Sequence, residues 1–229
     1  MCAGSDRRVR ARPSVAKAAR AGVGGGILGH MGDSGGAARL SLVRSAEAGY
    51  DRPDVLSEEG GRLTRRGREQ ALIVATRLRD QEVHAVYGSP MTRAQETAEI
   101  LGSVLAVPVT TLPGLEEPWV GDLDGAGFER GRAVYQRWLA GDLAVRWPGA
   151  ETGQEVIARM THALEYVAAR HRGRSAIVVS HGGVMSLTLP RIARDSGVPM
   201  HAPPTLAHGA VLQIEAGEDT WRFTSRWGD

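Results

Sequence analysis

The amino-acid sequence predicts an α/β protein with three layers, an αβα sandwich built on a mostly parallel sheet. Short apolar runs, typical of buried strands, alternate along the chain with segments whose apolar residues recur at helical spacing. One run, Ala176-Ile177-Val178-Val179, has no polar position, as expected for a central strand that helices cover on both faces. This alternation favours a parallel sheet enclosed between two helical layers.

Residues 1–37 are predicted to be a flexible tail that precedes one domain over residues 38–229. The tail is rich in Arg, Gly and Ala and contains the run Gly24-Gly25-Gly26, so it cannot bury enough apolar surface to offset its ordering entropy. The alternatives are a chain that naturally starts at Met31 and an arm that binds anions. The basic residues of such an arm are Arg7, Arg8, Arg10, Arg12, Lys17 and Arg20.

The composition argues against several classes of function. The formal net charge is only +2, so the chain as a whole has no strong attraction for nucleic acid. No apolar run approaches the roughly 20 residues that span a bilayer, and the apolar segment of a secretory signal is not visible. Cys2 is the single cysteine, which rules out an internal disulfide framework. We therefore expect a cytoplasmic protein without nucleic-acid or membrane partners, and a homo-oligomer is compatible with the sequence.

The predicted elements begin with a buried strand over residues 39–43. A helix follows, capped by Thr64 and with its apolar residues at helical spacing. Residues 83–87 form a second apolar strand. Ser89 and Pro90 then open another helix, with Ser89 as N-cap and Pro90 at the first helical position, where a missing N–H costs nothing.

The second half of the chain begins with a strand at residues 107–112 and a small cap region at about 113–150, helical over residues 128–146. We expect the aromatic residues of this region to pack in the core or cap rather than to line a substrate pocket; they are Trp119, Phe128, Tyr135, Trp138 and Trp147. The remaining elements are a helix at 155–170, the central strand at 175–180, a helix at 184–193 and an edge hairpin of 210–214 with 221–225.

Side chains with functional chemistry follow three of the predicted strands. Arg44 ends the first strand, Arg93 follows the second, and His181 ends the central one. Since ligands of open α/β sheets bind beyond the carboxyl ends of the strands, we expect these groups to meet. Two guanidiniums and an imidazole beside helix N-termini suit phosphate or another compact dianion. Each residue alone is also consistent with an ordinary ion pair, a solvated helix position or a structural hydrogen bond.

Five segments, in order, resemble motifs of the histidine phosphatase superfamily, the phosphoglycerate-mutase-like proteins, over about residues 38–226. They are Leu42-Val43-Arg44 with Glu47, the segment from Leu63 to Ala71, Ser89-Pro90-Met91-Thr92-Arg93-Ala94, Leu115-Glu116-Glu117 with Gly121-Asp122, and Ser180-His181-Gly182-Gly183. One such match is uninformative, whereas five in the family's order identify the fold.

The resemblance implies phosphoryl-transfer chemistry on a phosphorylated or anionic small molecule, without a metal or a cofactor. By position, Arg44, Arg93 and His181 would hold the phosphate, and Glu117 would protonate the leaving oxygen; a loop carboxylate paired with an arginine is the alternative for Glu117. Matching also places further residues in or near the phosphate pocket, namely Ser89, Gly182, Asp51 and His208. For His208, a surface histidine is the alternative.

Three departures from the family pattern fall together in the loop that should carry the nucleophile. Ser45 stands where the family has a histidine, Ala46 where it has glycine, and Asp51 where it has asparagine. A serine hydroxyl is a weak nucleophile unless a neighbouring base takes its proton, and the resulting phosphoserine is a stable ester. Asp51, if near the pocket, would repel a dianion or pair with Arg44.

Four functions follow from these residues. The first is a diverged enzyme that uses Ser45, or a water held by it, with His181 or Glu117 as base, or that performs an elimination or isomerisation. The second is a non-catalytic protein that binds a phosphorylated ligand. The third is a phosphatase with His181 as nucleophile, and the fourth is nucleic-acid association through the tail, which the nearly neutral domain disfavours. An enzyme is favoured because a pure binder has no use for an acid at position 117.

Overall fold

Six strands of the central sheet lie in the described residues. They are β1 (Ala38–Arg44), β4 (Val83–Gly88), β5 (Val109–Thr111), β6 (Ser175–Ser180), β7 (Val211–Ala216) and β8 (Trp221–Trp227). A separate pair is formed by β2 (Ala48–Gly49) and β3 (Arg62–Leu63). The computed structural model describes residues 36–50, 60–193 and 206–228. The predictions for residues 1–35 and for Asp51 therefore lie outside the described residues.

The strand order is β5-β4-β6-β1-β7-β8. β1 pairs in parallel with β6, β6 with β4, and β4 with β5. β7 and β8 form an antiparallel hairpin at the edge, with β7 antiparallel to β1. The predicted mostly parallel sheet with an edge hairpin is thus confirmed, and the carboxyl ends of β4, β6 and β1 lie side by side.

Helices cover both faces of this sheet. α1 (Arg65–Leu78) and α2 (Thr92–Leu105) pack on one face, while α3 (Phe128–Leu139), α4 (Gly153–Arg170) and α5 (Gly182–Ile192) contribute to the core on the other. Within β6, Ile177 and Val179 belong to the first core, and Ala176 and Val178 to the second. Because successive side chains of a strand point to opposite faces, a strand buried between two layers needs apolar residues throughout.

Local sequence explains where several helices begin. The Thr64 hydroxyl accepts a hydrogen bond of 2.9 Å from the Gly67 N–H and caps α1, as predicted. Thr152 and Glu155 form a capping box at the start of α4, in which each side chain accepts from the backbone N–H of the other residue. These two caps fix the entry of the chain into the helices on either side of the sheet.

Other predicted boundaries were wrong. α2 begins at Thr92 with Met91 as N-cap, not with Ser89, because the Ser89 N–H continues the sheet by bonding to the Val179 carbonyl at 3.0 Å. α3 ends at Leu139 instead of continuing to residue 146, and Gly141 follows with a φ of +100° that an α-helix cannot contain. In the described ranges, no helix is long and apolar enough to cross a membrane.

Candidate functional site

A cavity of about 450 Å³ lies beyond the carboxyl ends of β1 and β6, next to the end of β4. The predicted site residues that line it are Arg44, Ser45, Arg93, Glu117, His181, Gly182 and His208. These residues are far apart in the sequence, and the topology brings them together. The convergence expected from the three strand ends is therefore present, apart from Ser89 and from Asp51, which lies outside the described residues.

Arg44 is the last residue of β1 and reaches the start of α5. Its Nη1 donates to the carbonyl of Leu206. A Cβ atom on Gly182 would lie only 3.1 Å from Arg44 Nε, so glycine at this position lets the guanidinium approach the helix. Burial lowers the pKa of Arg44, with the nearby Glu117 carboxylate acting in the opposite direction and Arg93 in the same one. The side chain nevertheless stays charged, as arginine does throughout the physiological range.

Arg93 lies in the first turn of α2 and is only 8% exposed. Its Nη2 contacts the Met91 sulfur at 3.6 Å. Within the described part of the chain, neither Arg93 nor Arg44 has a carboxylate oxygen within 4.0 Å. The two guanidiniums repel each other, and Arg93 is buried while Arg44 is partly buried, so a bound anion would offset their charge.

His181 is the N-cap residue of α5 and is almost completely buried. Its Nε2 lies 2.8 Å from the Ser89 hydroxyl. The same hydroxyl accepts a hydrogen bond from the Met91 N–H. Its Nδ1 is buried and has no hydrogen-bond partner among the described residues. Burial, reinforced by Arg93, Arg159 and Arg44, holds the pKa of His181 well below its usual value, so the ring is neutral at pH 7.

Ser89 is completely buried and is not among the residues that line the cavity. The sequence places Ser89 among the phosphate-binding residues, and this stays a prediction. In the structure its hydroxyl lies 2.8 Å from His181 Nε2, which limits the orientation of that ring.

Glu117 places its carboxylate over the N-terminus of α5. Its Oε1 accepts from the Gly183 N–H at 2.9 Å and its Oε2 from the Val184 N–H at 2.8 Å. Free N–H groups and the positive end of the helix dipole stabilise an anion at this position. A Cβ atom on Gly183 would lie 2.7 Å from Glu117 Oε2, closer than real Cβ contacts, so the glycine makes room for the carboxylate.

The loop that carries Glu117 is held by Arg159 of α4, which the sequence did not single out. Arg159 donates from Nη1 to the carbonyls of Gly114 and Glu116, at 2.9 and 2.8 Å, and from Nη2 to the carbonyl of Glu117 at 3.1 Å. It also forms a two-point ion pair with Glu151. An arginine on an amphipathic helix gives no sequence signal for this role.

Ser45 and His208 lie together at one side of the cavity. The Ser45 N–H donates to the Ser180 carbonyl at 2.8 Å, so the backbone stays in the sheet one residue beyond β1. His208 Nδ1 lies 3.3 Å from the Ser45 carbonyl oxygen, and its Nε2 lies 3.2 Å from Arg44 Nη2. Burial and the adjacent Arg44 charge lower the pKa of His208. His208 is therefore a cavity residue and not a surface histidine.

The outer part of the cavity is lined by residues of the predicted cap region. Tyr135 and Trp147 form an aromatic wall, with Arg132 beside them. The Tyr135 hydroxyl donates to the Gly183 carbonyl at 2.8 Å, and burial, followed by the Glu117 charge, raises the pKa of this phenol. Trp138 is fully buried and stacks edge-on against Trp147, with 4.8 Å between ring centroids. The expectation of core packing was right for Trp138, while Tyr135 and Trp147 also line the cavity.

Comparison with known proteins agrees with this geometry. Residues 40–228 match the sequence profile of the histidine phosphatase superfamily, branch 1. The chain is 32% identical over 170 residues to the metal-independent phosphoserine phosphatase of Arabidopsis thaliana, and the aligned residues cover 71% of this chain and 69% of that protein. It is 33% identical over 126 residues to phosphoglycerate mutase-like protein 4 of the same plant, covering 52% of this chain and 55% of that protein.

Solved structures show the same fold. The α-ribazole phosphatase of Shigella flexneri superposes with a TM-score of 0.64 at 24% identity, covering 81% of this chain and 94% of that one. The sheet order, the two helical layers and the profile match over most of the domain lead to one conclusion. The chain belongs to the histidine phosphatase superfamily.

Proposed function

We propose that this protein is a diverged histidine-phosphatase-like enzyme that acts on a phosphorylated or otherwise anionic small molecule. The observation that carries the proposal is the pair of guanidiniums of the buried Arg93 and the partly buried Arg44, which face one cavity and have no close carboxylate in the described part of the chain. A relative named as a phosphoserine phosphatase and one named as phosphoglycerate mutase-like support the same class of ligand.

The phosphate would bind between the two arginines and His181. The Ser89 hydroxyl accepts one hydrogen bond from the Met91 N–H and is free to donate its own proton to His181 Nε2. The neutral ring then carries its proton on Nδ1, the nitrogen without a partner among the described residues. A phosphate oxygen would supply that partner. Charge-assisted hydrogen bonds from Arg44 and Arg93 would add the strongest part of the binding energy.

Glu117 would act as the acid that protonates the leaving oxygen. The carboxyl group lies on the N-terminus of α5 and lines the same cavity as both arginines, and Arg159 holds its loop. An acid works only when it is positioned within hydrogen-bond reach of the leaving oxygen. The hydrogen bonds from Arg159 to the loop are consistent with this role, since a solvent-exposed carboxylate would not need a fixed position.

We further propose that Ser45 occupies the position where the family carries its nucleophilic histidine. Ser45 follows Arg44 at the end of β1 and lines the cavity. Among the described residues, no group accepts a hydrogen bond from its hydroxyl, so none of them is placed as the base that would activate it. The chain would therefore keep the phosphate pocket and the acid while lacking the usual nucleophile at this position.

The second candidate is a protein that binds a phosphorylated ligand without turnover. The unactivated Ser45 hydroxyl favours it, because a binding pocket needs the two arginines but no nucleophile. The same domain would then serve as a sensor. The two candidates predict similar affinity for phosphate and differ only in whether a product forms.

The test is to incubate the full chain with a panel of phosphomonoesters, phosphoserine and 3-phosphoglycerate among them, and to follow every product by mass spectrometry. The proposed enzyme converts at least one of them, and Glu117→Gln slows the conversion by about 100-fold because the leaving oxygen loses its acid. Binding without any product would favour the non-catalytic candidate. Failure to bind any phosphorylated compound would contradict both.

A further inference from the structure

We propose that His208 is the nucleophile of this site and attacks phosphorus through Nε2 from the loop that precedes β7. The proposal rests on the phosphoryl chemistry proposed above and names the group that carries it out. A covalent route needs a side chain with an available lone pair beside the bound anion. In the part of the chain that the structure describes, no group activates Ser45, so the other groups of the cavity are considered next.

The hydrogen bonds of His208 define which of its nitrogens carries the proton. The Ser45 carbonyl oxygen, 3.3 Å from Nδ1, can only accept a hydrogen bond, so Nδ1 must be the N–H. Arg44 Nη2, 3.2 Å from Nε2, can only donate, so Nε2 must present its lone pair. Burial and the Arg44 charge keep the ring neutral. A neutral imidazole with a fixed Nδ1–H and a lone pair on Nε2 is the nucleophilic form of histidine.

The lone pair points at the guanidinium proposed to bind the phosphate. An oxyanion that accepts from Arg44 Nη2 lies about 2.9 Å from that nitrogen. It would replace His208 as the acceptor, because a charged oxygen is a stronger acceptor than a neutral imidazole. The Nε2 lone pair would then be free, next to the phosphorus atom whose oxygen had displaced it.

Backbone hydrogen bonds hold His208 in this position. The Gly209 N–H donates to the Arg44 carbonyl at 3.2 Å, and the Arg44 N–H donates to the Ala210 carbonyl at 2.9 Å. The antiparallel ladder continues directly into Val43 opposite Val211. His208 is thus carried by the same strand pair as Arg44, and a nucleophile gains most from such fixed geometry.

The other candidates in the cavity are engaged differently. His181, if its Nε2 accepts from Ser89, presents an N–H and no lone pair to the phosphate. Tyr135 donates its hydroxyl to the Gly183 carbonyl, and its raised pKa keeps it a phenol. Both oxygens of Glu117 accept backbone hydrogen bonds. His208 is the group among these whose lone pair a bound phosphate would release.

The reaction would proceed in two steps. The first step starts from the protonated form of Glu117: His208 Nε2 forms a bond to phosphorus, the bond from phosphorus to the ester oxygen breaks, and that oxygen takes the proton from the Glu117 carboxyl, which becomes the carboxylate. In the second, a water oxygen attacks phosphorus, its proton passes to the Glu117 carboxylate, and the phosphorus–nitrogen bond breaks with its electron pair returning to Nε2. The site returns to its starting state and needs no other reactant.

The experiment traps this intermediate with para-nitrophenyl phosphate as the probe. The full chain is quenched in alkali during turnover, and the phosphorylated peptide is located by mass spectrometry. The variants are His208→Asn, whose amide can still donate to the Ser45 carbonyl, Ser45→Ala, and His84→Asn as a control at an exposed histidine of β4. Thermal unfolding with and without inorganic phosphate reports folding and anion binding separately.

We expect acid-labile, alkali-stable phosphate on His208 in the wild type, in Ser45→Ala and in His84→Asn. His208→Asn loses the label, and its turnover falls by about 100-fold or more. Acid-stable phosphate on Ser45, phosphate on His181, or turnover without any label overturns the assignment, whatever the variants do. Absence of turnover overturns it as well. If inorganic phosphate still raises the melting temperature in that case, the anion pocket stands; if it does not, the proposed function fails too.

Discussion

Arg159 and Glu151 form a two-point ion pair beside the loop that carries Glu117, with 2.9 Å from Nε to Oε2 and 2.7 Å from Nη2 to Oε1. Glu151 Oε1 also accepts a hydrogen bond from the Trp119 N–H at 2.9 Å. Together with the three loop carbonyls bound by Arg159, this pair links α4 to both sides of Glu117. The position of the proposed acid thus depends on a residue that does not line the cavity.

Arg159→Lys should reduce turnover more than it reduces phosphate binding. A lysine ammonium cannot reproduce the planar fork, so several of these hydrogen bonds are lost and the loop shifts. We expect a stability loss of about 2 kcal/mol and a fall in turnover of about 10- to 100-fold. Thermal unfolding and steady-state kinetics measure the two effects. Arg170→Lys, an exposed arginine at the end of the same helix, is the control, and an equal effect of both variants would contradict the positioning role.

Alanine at the two glycines that begin α5 should separate binding from turnover. Gly182→Ala places a Cβ 3.1 Å from Arg44 Nε and should weaken phosphate binding, because the guanidinium must move. Gly183→Ala places a Cβ 2.7 Å from Glu117 Oε2 and should mainly lower turnover, because the carboxylate must move away from the N-terminus of α5. Phosphate titration and kinetics on both variants distinguish the two. Identical effects in both assays would show that the helix N-terminus acts as one unit.

Stability should fall as the pH drops below neutrality. The pKa values of His181, His208 and His171 are all lowered from about 6.5 by burial, so the unfolded chain binds more protons than the folded one at mildly acid pH. The free energy of unfolding therefore rises with pH, and the stabilisation is present above pH 6.5 and is lost below it, until the folded pKa is reached. Each histidine contributes a slope of about 1.4 kcal/mol per pH unit at most.

Urea unfolding between pH 5 and 8 measures this slope, and the window stays above the range in which most carboxylates titrate. His181→Gln should flatten the curve, because its amide can meet the Ser89 hydroxyl without taking up a proton. A stability that is constant over this range would contradict the buried, neutral state of His181.

The sequence was a good guide to the layers and a poorer guide to the site's internal contacts. β6 was predicted with its observed ends because four apolar residues in a row suit only a strand buried on both faces. Thr64 was recognised as a cap because its signal is local. Ser89 was misread for the opposite reason: its hydroxyl contacts His181, a residue 92 positions away, and local rules assign such a hydroxyl to the nearest helix.

Long-range pairing explains the other misses. The approach of His208 to Arg44 spans 164 positions and depends on the register of β7 against β1, which no single motif encodes. Arg159 looks like any solvated arginine on an amphipathic helix, and only the folded loop gives it carbonyl partners. Motif order identified the residues that meet at the strand ends, and the three-dimensional structure was needed to show which hydrogen bonds connect them.

Ser45→His should raise the rate of aryl phosphate hydrolysis about 10-fold over a slow wild type, because it adds a second imidazole nucleophile, beside His208, at the position where the family carries its own. In the Ser45→His background, His208→Asn should lower the hydrolysis rate by a smaller factor than it does in the wild type, since a second imidazole is present. Steady-state kinetics on the two single variants and the double variant test both statements. A wild type that already works at ordinary phosphatase rates on aryl phosphates would contradict the remodelled site.

Calorimetric titration with inorganic phosphate tests the anion pocket most directly. Arg93→Met keeps the bulk of the buried side chain while removing its charge, and Arg65→Ala removes an exposed arginine of α1 as a control. We predict that the wild type and Arg65→Ala bind phosphate with similar affinity and that Arg93→Met binds about 10- to 100-fold more weakly, the loss expected for one charge-assisted contact. A wild type that does not bind phosphate, or an Arg93→Met variant that binds equally well, would contradict the account.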